Sequence, residues 1–143
     1  MEMLIVMAII GILAAVTVMG ARSYLPSWQL SGSARVVISK LRQAQEEAVT
    51  TQIQHGVRFN ATTPVTIDFF KKVDATETTL ETVTLANGIT LTLNSITNNS
   101  IIFSADGGLS IGSSPGTITV TLDTSSKTIS VSAAGVIKLQ QST

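Results

Sequence analysis

Glu2 stands at the head of an uncharged apolar run, Met3 to Ala21 (MLIVMAIIGILAAVTVMGA), which Arg22 closes. No other feature limits this chain as much. A helix of 19 residues covers about 28 Å, close to a bilayer core of about 30 Å. A carboxylate kept at the end of such a helix costs about 2.5–3.5 kcal/mol on insertion scales, so a partner for Glu2 is expected. A cleaved secretory signal would carry basic residues in front and a shorter apolar core. An ordinary single-span anchor fits better, with Glu2 snorkelling to the headgroups. Arg22 on the C-terminal side would turn the remainder of the chain toward the cytoplasm. A basic leader ahead of Glu2, absent from this sequence, would remove that conflict.

The run continues into an amphipathic stretch. Leu30, Ala34, Val37, Leu41, Ala44 and Ala48 are spaced 4, 3, 4, 3, 4, which is one helical stripe. Its alanines let a flat partner approach closely, and a β-sheet is the expected one. Arg35, Lys40, Arg42, Gln43, Glu46 and Glu47 fall mostly off the stripe and read as a solvated face, with Arg42 and Glu46 placed to pair. Gly20, Pro26 and Gly32 make the joint between the halves the weakest part of the helix, a kink or a segment able to melt when the anchor must reach further. The helix is expected to end near His55–Gly56, with Gly56 as the residue after the cap.

Beyond Gly56 the period changes to two. Val65, Ile67 and Phe69 alternate with Thr66 and Asp68; Ile118, Val120 and Leu122 alternate with Thr117, Thr119 and Thr121. Similar alternation at 82–85, 89–93 and 128–131 adds further strands. Asn87–Gly88 and Asp106–Gly107 are tight-turn signals, and Ser125–Ser126 and Ala134–Gly135 mark others. The expectation is a meander of short antiparallel strands with one buried face, with Lys71 to Thr79 as an exposed loop. The fold class is thus α+β: a long N-terminal helix (residues 1–21 apolar, 22–55 amphipathic) on an antiparallel β domain (56–143).

Charge narrows the function. Nine Lys and Arg balance nine Asp and Glu, so no bulk field attracts nucleic acid. From Thr82 onward the only charges are Asp106, Asp123, Lys127 and Lys138, a neutral hydroxyl-rich surface of the kind secreted proteins carry. Two lysines support weak phosphate contact at best. His55 is the one histidine and there is no cysteine. Without a phosphate loop or nucleophile elbow, the chain reads as a non-enzyme with no cofactor and no metal site. Asp68, Asp74, Glu77 and Glu81 match no calcium loop. Phe59, Phe69, Phe70 and Phe103 read as sheet core or helix-to-sheet packing. With Tyr24 and Trp28 they form no continuous ladder.

The segment EMLIVMAIIGILAAV (Glu2 to Val16), with its single acid, Gly11 and the Ala14–Ala15 pair, resembles the N-terminal cleavage and methylation segment of type IV pilins and pseudopilins. LRQAQEEAVTTQIQHGVRF (Leu41 to Phe59) is similar to the helix-to-strand region of the H-type pseudopilins of type II secretion and their fimbrial T-type minor pilin relatives. Ile101, Phe103 and Gly107 or Gly108, and the late run Ile129, Val131, Gly135, Ile137, resemble strands and turns of the same branch. Only Met1 precedes Glu2, where the family has a few residues more and a leader. Pro26 also comes later than the family's usual proline.

The resemblance implies a pilin fold and a structural subunit whose helix leaves the inner membrane to pack with copies of itself and other pilins in a periplasmic or extracellular filament. That filament would serve type II secretion, adhesion or motility. An inner-membrane assembly platform and a prepilin peptidase are the implied partners. Glu2 would fix register against a neighbour's terminal amine, and Gly11, Ala14 and Ala15 would let helices approach closely. The alternative is a membrane-anchored minor pilin acting as a binding module in DNA uptake or adhesion.

Overall fold

The computed structural model describes residues 2–141; of residues 2, 4, 15–25 and 141 it describes only the backbone. One helix, α1 (Glu2–Thr51), runs unbroken through Pro26. At 50 residues it is about 75 Å long. Among the described residues no helix is long and apolar enough to cross a membrane; side chains 15–25, which complete the apolar run, lie outside that description.

The helix ends earlier than Gly56. Gln52 takes the left-handed conformation (φ 58°) and is the residue that stops it, the role usually given to glycine or asparagine. Gln52 Nε2 donates to the Val49 carbonyl at 2.7 Å, one of the last four that the helix itself leaves unpaired, while the Thr50 and Thr51 hydroxyls fold back on the carbonyls of Glu46 and Glu47 at 2.8 and 2.7 Å. His55 and Gly56 lie inside strand β1 (Gln54–Asn60). Gly56 is required there for another reason: a Cβ would stand 2.7 Å from the Phe70 ring and 2.8 Å from the Ile101 carbonyl oxygen. His55 is buried, stacked on Phe69 at 5.7 Å with Nδ1 2.9 Å from the Ile53 carbonyl, so it is neither a cap nor a surface residue.

The strands form two antiparallel sheets rather than one meander. The first has the order β3-β2-β1-β5, where β2 is Thr66–Val73, β3 Thr76–Thr84 and β5 Ser100–Phe103. The second has the order β4-β6-β7-β8, where β4 is Thr90–Asn94, β6 Gly116–Leu122, β7 Ser125–Val131 and β8 Ile137–Gln141. The chain therefore changes sheet after β3, returns for β5 and leaves again for β6. The Asn87–Gly88 turn (Gly88 φ 82°) carries the first of these changes and closes no hairpin. The Asp106–Gly107 turn does fold the chain back, pairing Phe103 with Leu109. Lys71 to Thr79 is not a loop. β2 and β3 run through it to a turn at Asp74 (φ 55°); this end of the hairpin stands clear of the core, so its residues show no apolar alternation. The β6–β7 turn sits at Asp123 (φ 53°), two residues before Ser125.

α1 lies against both sheets, touching β1, β2 and β5 of one and β6, β7 and β8 of the other. The core fills that seam. Val37 and Leu41 share one buried cluster with Val57, Phe59, Ile67, Ile101, Phe103, Ile118, Val120 and Ile129, all essentially without solvent contact. Phe70 is the exception among the phenylalanines. It is fully buried but outside this cluster, on the outer face of the first sheet, over Gly56 and 5.0 Å beneath the Arg58 guanidinium.

Candidate functional site

The helix presents three surfaces, and each is set by the residues that form it. The first is the stripe facing the sheets. Leu30, Ala34, Val37, Leu41, Ala44 and Ala48 are 0–3% exposed and belong to one cluster. Polar links add to it. Lys40 Nζ reaches Gln43 at 2.9 Å and the Glu81 carboxylate of β3 at 2.7 Å, so it is a half-buried strut rather than part of a solvated face. Lys127 Nζ of β7 donates to Ser31 Oγ at 3.0 Å. Gln45 Nε2 donates to the carbonyls of Gly107 (2.6 Å) and Gly135 (3.0 Å), tying two loops to the helix at once.

Both loops are shaped for that contact. Gly107 and Gly135 have φ of 83° and 78°. A Cβ on Gly135 would lie 2.1 Å from the Gly107 carbonyl oxygen and 2.6 Å from Gln45. In the first loop the Ser104 hydroxyl and the Gly108 N–H donate to the Asp106 carboxylate. These two hydrogen bonds, the hydroxyl foremost, hold its pKa below the usual carboxylate value. Gln45 was not recognised as a site residue from the sequence. No local signal marks it, because its partners lie 62 and 90 residues further along.

The second surface is the N-terminal part of the helix. Met3, Ile5, Val6, Met7, Ile9, Ile10, Ile12 and Leu13 are each 52–79% exposed. A Cβ on Gly11 would meet nothing within 4 Å, and Ala14 is exposed beside it. A monomer rarely leaves so large an apolar surface open. Each such side chain forgoes roughly 1.5–3 kcal/mol that burial would provide. The side chains of Glu2 and Ala15 and the surroundings of Gly20 lie outside the described residues. Pro26 and Gly32 are exposed, on the stretch between the bare and the covered halves.

The third surface is the side of the helix turned away from the sheets, where Trp28, Gly32, Arg35, Ser39, Arg42 and Glu46 are all exposed. Arg42 and Glu46 make no ion pair there; among the described residues the ion pairs are Lys40–Glu81, Arg58–Glu77 and Lys72–Glu77.

Asp68 accepts from Thr82 Oγ1 at 2.6 Å, Glu77 faces Arg58 and Lys72, and Glu81 holds Lys40. Among the described residues no group of three or more His, Asp or Glu could hold a metal ion. A hollow of about 630 Å³ on the outer face of the second sheet is lined by Asn94, Thr117, Ser130 and Gln140, with Lys138 its one charge. Of the two late lysines, Lys127 is committed to the helix, which leaves Lys138 by itself.

The family model for the type II transport protein GspH matches residues 33–135. Among solved structures, the fold is similar to the type IV minor pilin FimU of Pseudomonas aeruginosa. The TM-score is 0.65 and the identity 19%, over 78% of this chain and 87% of that one. It is also similar to the minor pseudopilin EpsH from the type 2 secretion system of Vibrio cholerae. There the TM-score is 0.64 and the identity 17%, over 79% of this chain and 97% of that one. At such identities the likeness is one of fold, and that fold is the pilin fold: an N-terminal helix packed on an antiparallel β domain. No curated protein matches the chain in sequence.

Proposed function

We propose that this chain, which belongs to the type II transport protein GspH family, is a pseudopilin or minor pilin that joins a filament through the bare N-terminal half of α1. The family's members are structural subunits, so the chemistry required is packing rather than catalysis. One observation carries the reading: Met3, Ile5, Val6, Met7, Ile9, Ile10, Ile12 and Leu13 form an apolar surface more than half exposed. In a bilayer, lipid would cover that surface; in a filament, the same side chains of neighbouring subunits would. The proposed sequence is storage in the inner membrane followed by transfer to a periplasmic or surface filament.

Within this reading residues 1–21 form the filament core, 22–55 the connecting amphipathic half and 56–143 the globular part. Gly11, Ala14 and Ala15 allow close approach of helices, since small residues let backbones come together where no side chain intervenes. The stretch from Gly20 through Pro26 to Gly32 adjusts the angle or length of the helix during transfer. Glu2 sets register, because aliphatic surfaces slide over one another and a paired carboxylate in an apolar setting does not. Stranding one member of a buried pair costs about 3–5 kcal/mol.

The test is Glu2→Gln in cells carrying a cognate assembly machinery, with fibres sheared from the surface or recovered after overexpression. The expected result is normal membrane recovery and a loss of fibre-borne protein. Unchanged incorporation would remove the role given to Glu2. If the unsubstituted chain never entered a fibre with its cognate partners, the filament reading itself would fail.

A further inference from the structure

Asn60, Ala61 and Thr62 form an Asn-x-Thr sequence in the connection between β1 and β2. A carboxamide followed two residues later by a hydroxyl, with no proline between, is the pattern that asparagine-linked glycosylation reads. The chain holds this pattern twice, the second time at Asn98, Asn99 and Ser100. The fold separates the two. Asn60 is the last residue of β1, and residues 60–64 are all exposed. The Thr62 hydroxyl donates to Asn60 Oδ1 at 2.7 Å, and the Thr62 N–H makes a longer contact with the same oxygen at 3.4 Å. This Asx-turn occupies the carboxamide oxygen, while Asn60 Nδ2 makes no hydrogen bond among the described residues. At the second pattern the hydroxyl belongs to Ser100, which is buried, opens β5 and pairs with Arg58 of β1. The Ser100 N–H goes to the Thr97 carbonyl instead of to Asn98. Asn98 and Asn99 take left-handed conformations ahead of it, with φ of 54° and 52°. A turn by itself does not require asparagine at position 60, because aspartate accepts the same two bonds. Only transfer of a sugar requires the nitrogen.

We infer that Asn60 is a glycosylation site and that Asn98 is not. The donor is a sugar activated as its diphosphate ester, and a separate transferring enzyme supplies the catalysis. Asn60 Nδ2 forms the bond to the anomeric carbon as the bond from that carbon to the diphosphate oxygen breaks. The diphosphate leaves with the electron pair, and one Nδ2 proton passes to a base of the enzyme. This chain's own residues present the acceptor. Thr62 holds the carboxamide oxygen and leaves the nitrogen unengaged, and Ala61 places only a methyl between them. β1 starts at Gln54, beside the helix C-terminus, so the sugar extends from the opposite end of that strand. A glycan is bulky and solubilising and needs a surface position, which residues 60–64 provide. The inference stands apart from the filament reading, since a chain outside any fibre presents the same loop.

The test recovers the full chain from the cells that make it. Its peptides are fragmented by electron transfer, which keeps a sugar on the residue that carries it. The expected result is a sugar mass on Asn60 and none on Asn98. Asn60→Gln and Thr62→Val abolish that mass, and Thr62→Ser retains it at several-fold lower occupancy. Asn60→Asp also abolishes it but leaves the urea midpoint unchanged, which separates loss of the acceptor from loss of the turn. Unmodified chain is then offered a labelled polyprenyl diphosphate sugar in washed membranes, or a labelled nucleotide sugar in the soluble fraction. Transfer to Asn60 by either supports the inference and identifies the donor. Transfer by neither overturns it, as does bare Asn60 in the cells' own protein. Equal occupancy at Asn98 overturns it too, because the motif and not its presentation would then decide. None of these results alters the filament reading.

Discussion

The two halves of α1 share a backbone conformation and differ in what covers them. From Leu30 to Ala48 one stripe is sealed against two sheets, and the same half is anchored by Lys40, Gln45 and Ser31. In the N-terminal half Met3, Ile5, Val6, Met7, Ile9, Ile10, Ile12 and Leu13 are each more than half exposed. The covered half is narrow and alanine-rich, as a helix lying on a sheet must be. The bare half is apolar on every side, as a helix must be when its surroundings are uniformly apolar. The difference separates two energies. Packing of the covered half belongs to the stability of the monomer; under the proposed function, that of the bare half belongs to association.

That separation can be tested by matched substitutions. Leu41→Ala, at the centre of the covered stripe, is expected to destabilise the globular part by about 2–5 kcal/mol. Ile9→Ala in the bare half should leave its urea midpoint unchanged while weakening assembly. Equal shifts of the midpoint would mean that the halves are not independent. A glycine pair comes next. Gly56→Ala forces a methyl against the Phe70 ring and the Ile101 carbonyl, at about 1–3 kcal/mol. Gly11→Ala meets open space and should favour the helix by up to about 1 kcal/mol. Thermal unfolding read at the sheets should register the first substitution and not the second.

Gln45→Ala removes both donors that hold the two loops to the covered half. A loss of about 1–3 kcal/mol is expected, with amide exchange near Gly107 and Gly135 rising first; exchange that rose uniformly would argue against a local staple. The smallest effect concerns pH. Asp106 is held as the carboxylate by the Ser104 hydroxyl and the Gly108 N–H, so its folded pKa lies below the ordinary value of 3.8. Its contribution is fully present above that value and fades as pH falls through the folded pKa. Asp106→Ala should shrink the acid-side loss of stability in the globular part and leave the bare half's behaviour unaltered. An identical acid limb in the variant would assign the loss to other carboxylates.

Much of this was readable residue by residue. The buried stripe from Leu30 to Ala48 follows from a 3.6-residue period, which burial on one side imposes whatever the partner is. Strand alternation at 65–69 and 117–122 follows in the same way from a period of two. The misreadings share a cause. Gly56 has the look of a helix stop, but the stop is Gln52, and Gly56 is small because Phe70 crosses over it. Lys71 to Thr79 looks like a loop because both faces of that hairpin end are wet, so pairing left no apolar rhythm. Alternation within a strand also says nothing about which sheet the strand joins. The division into β3-β2-β1-β5 and β4-β6-β7-β8 was therefore hidden.

Periodicity and composition along the chain were enough to establish one long helix, a stripe to be covered, a sheet domain to cover it and an apolar head that the domain could not cover. Each of these depends on neighbours a few residues apart. The pairing of sheets around the helix, the reach of Gln45 to two loops, the burial of His55 and the placing of Arg35 and Arg42 on an unoccupied face were decided by contacts between residues dozens of positions apart. Such contacts are set by how whole elements fill space together, and no local pattern records them.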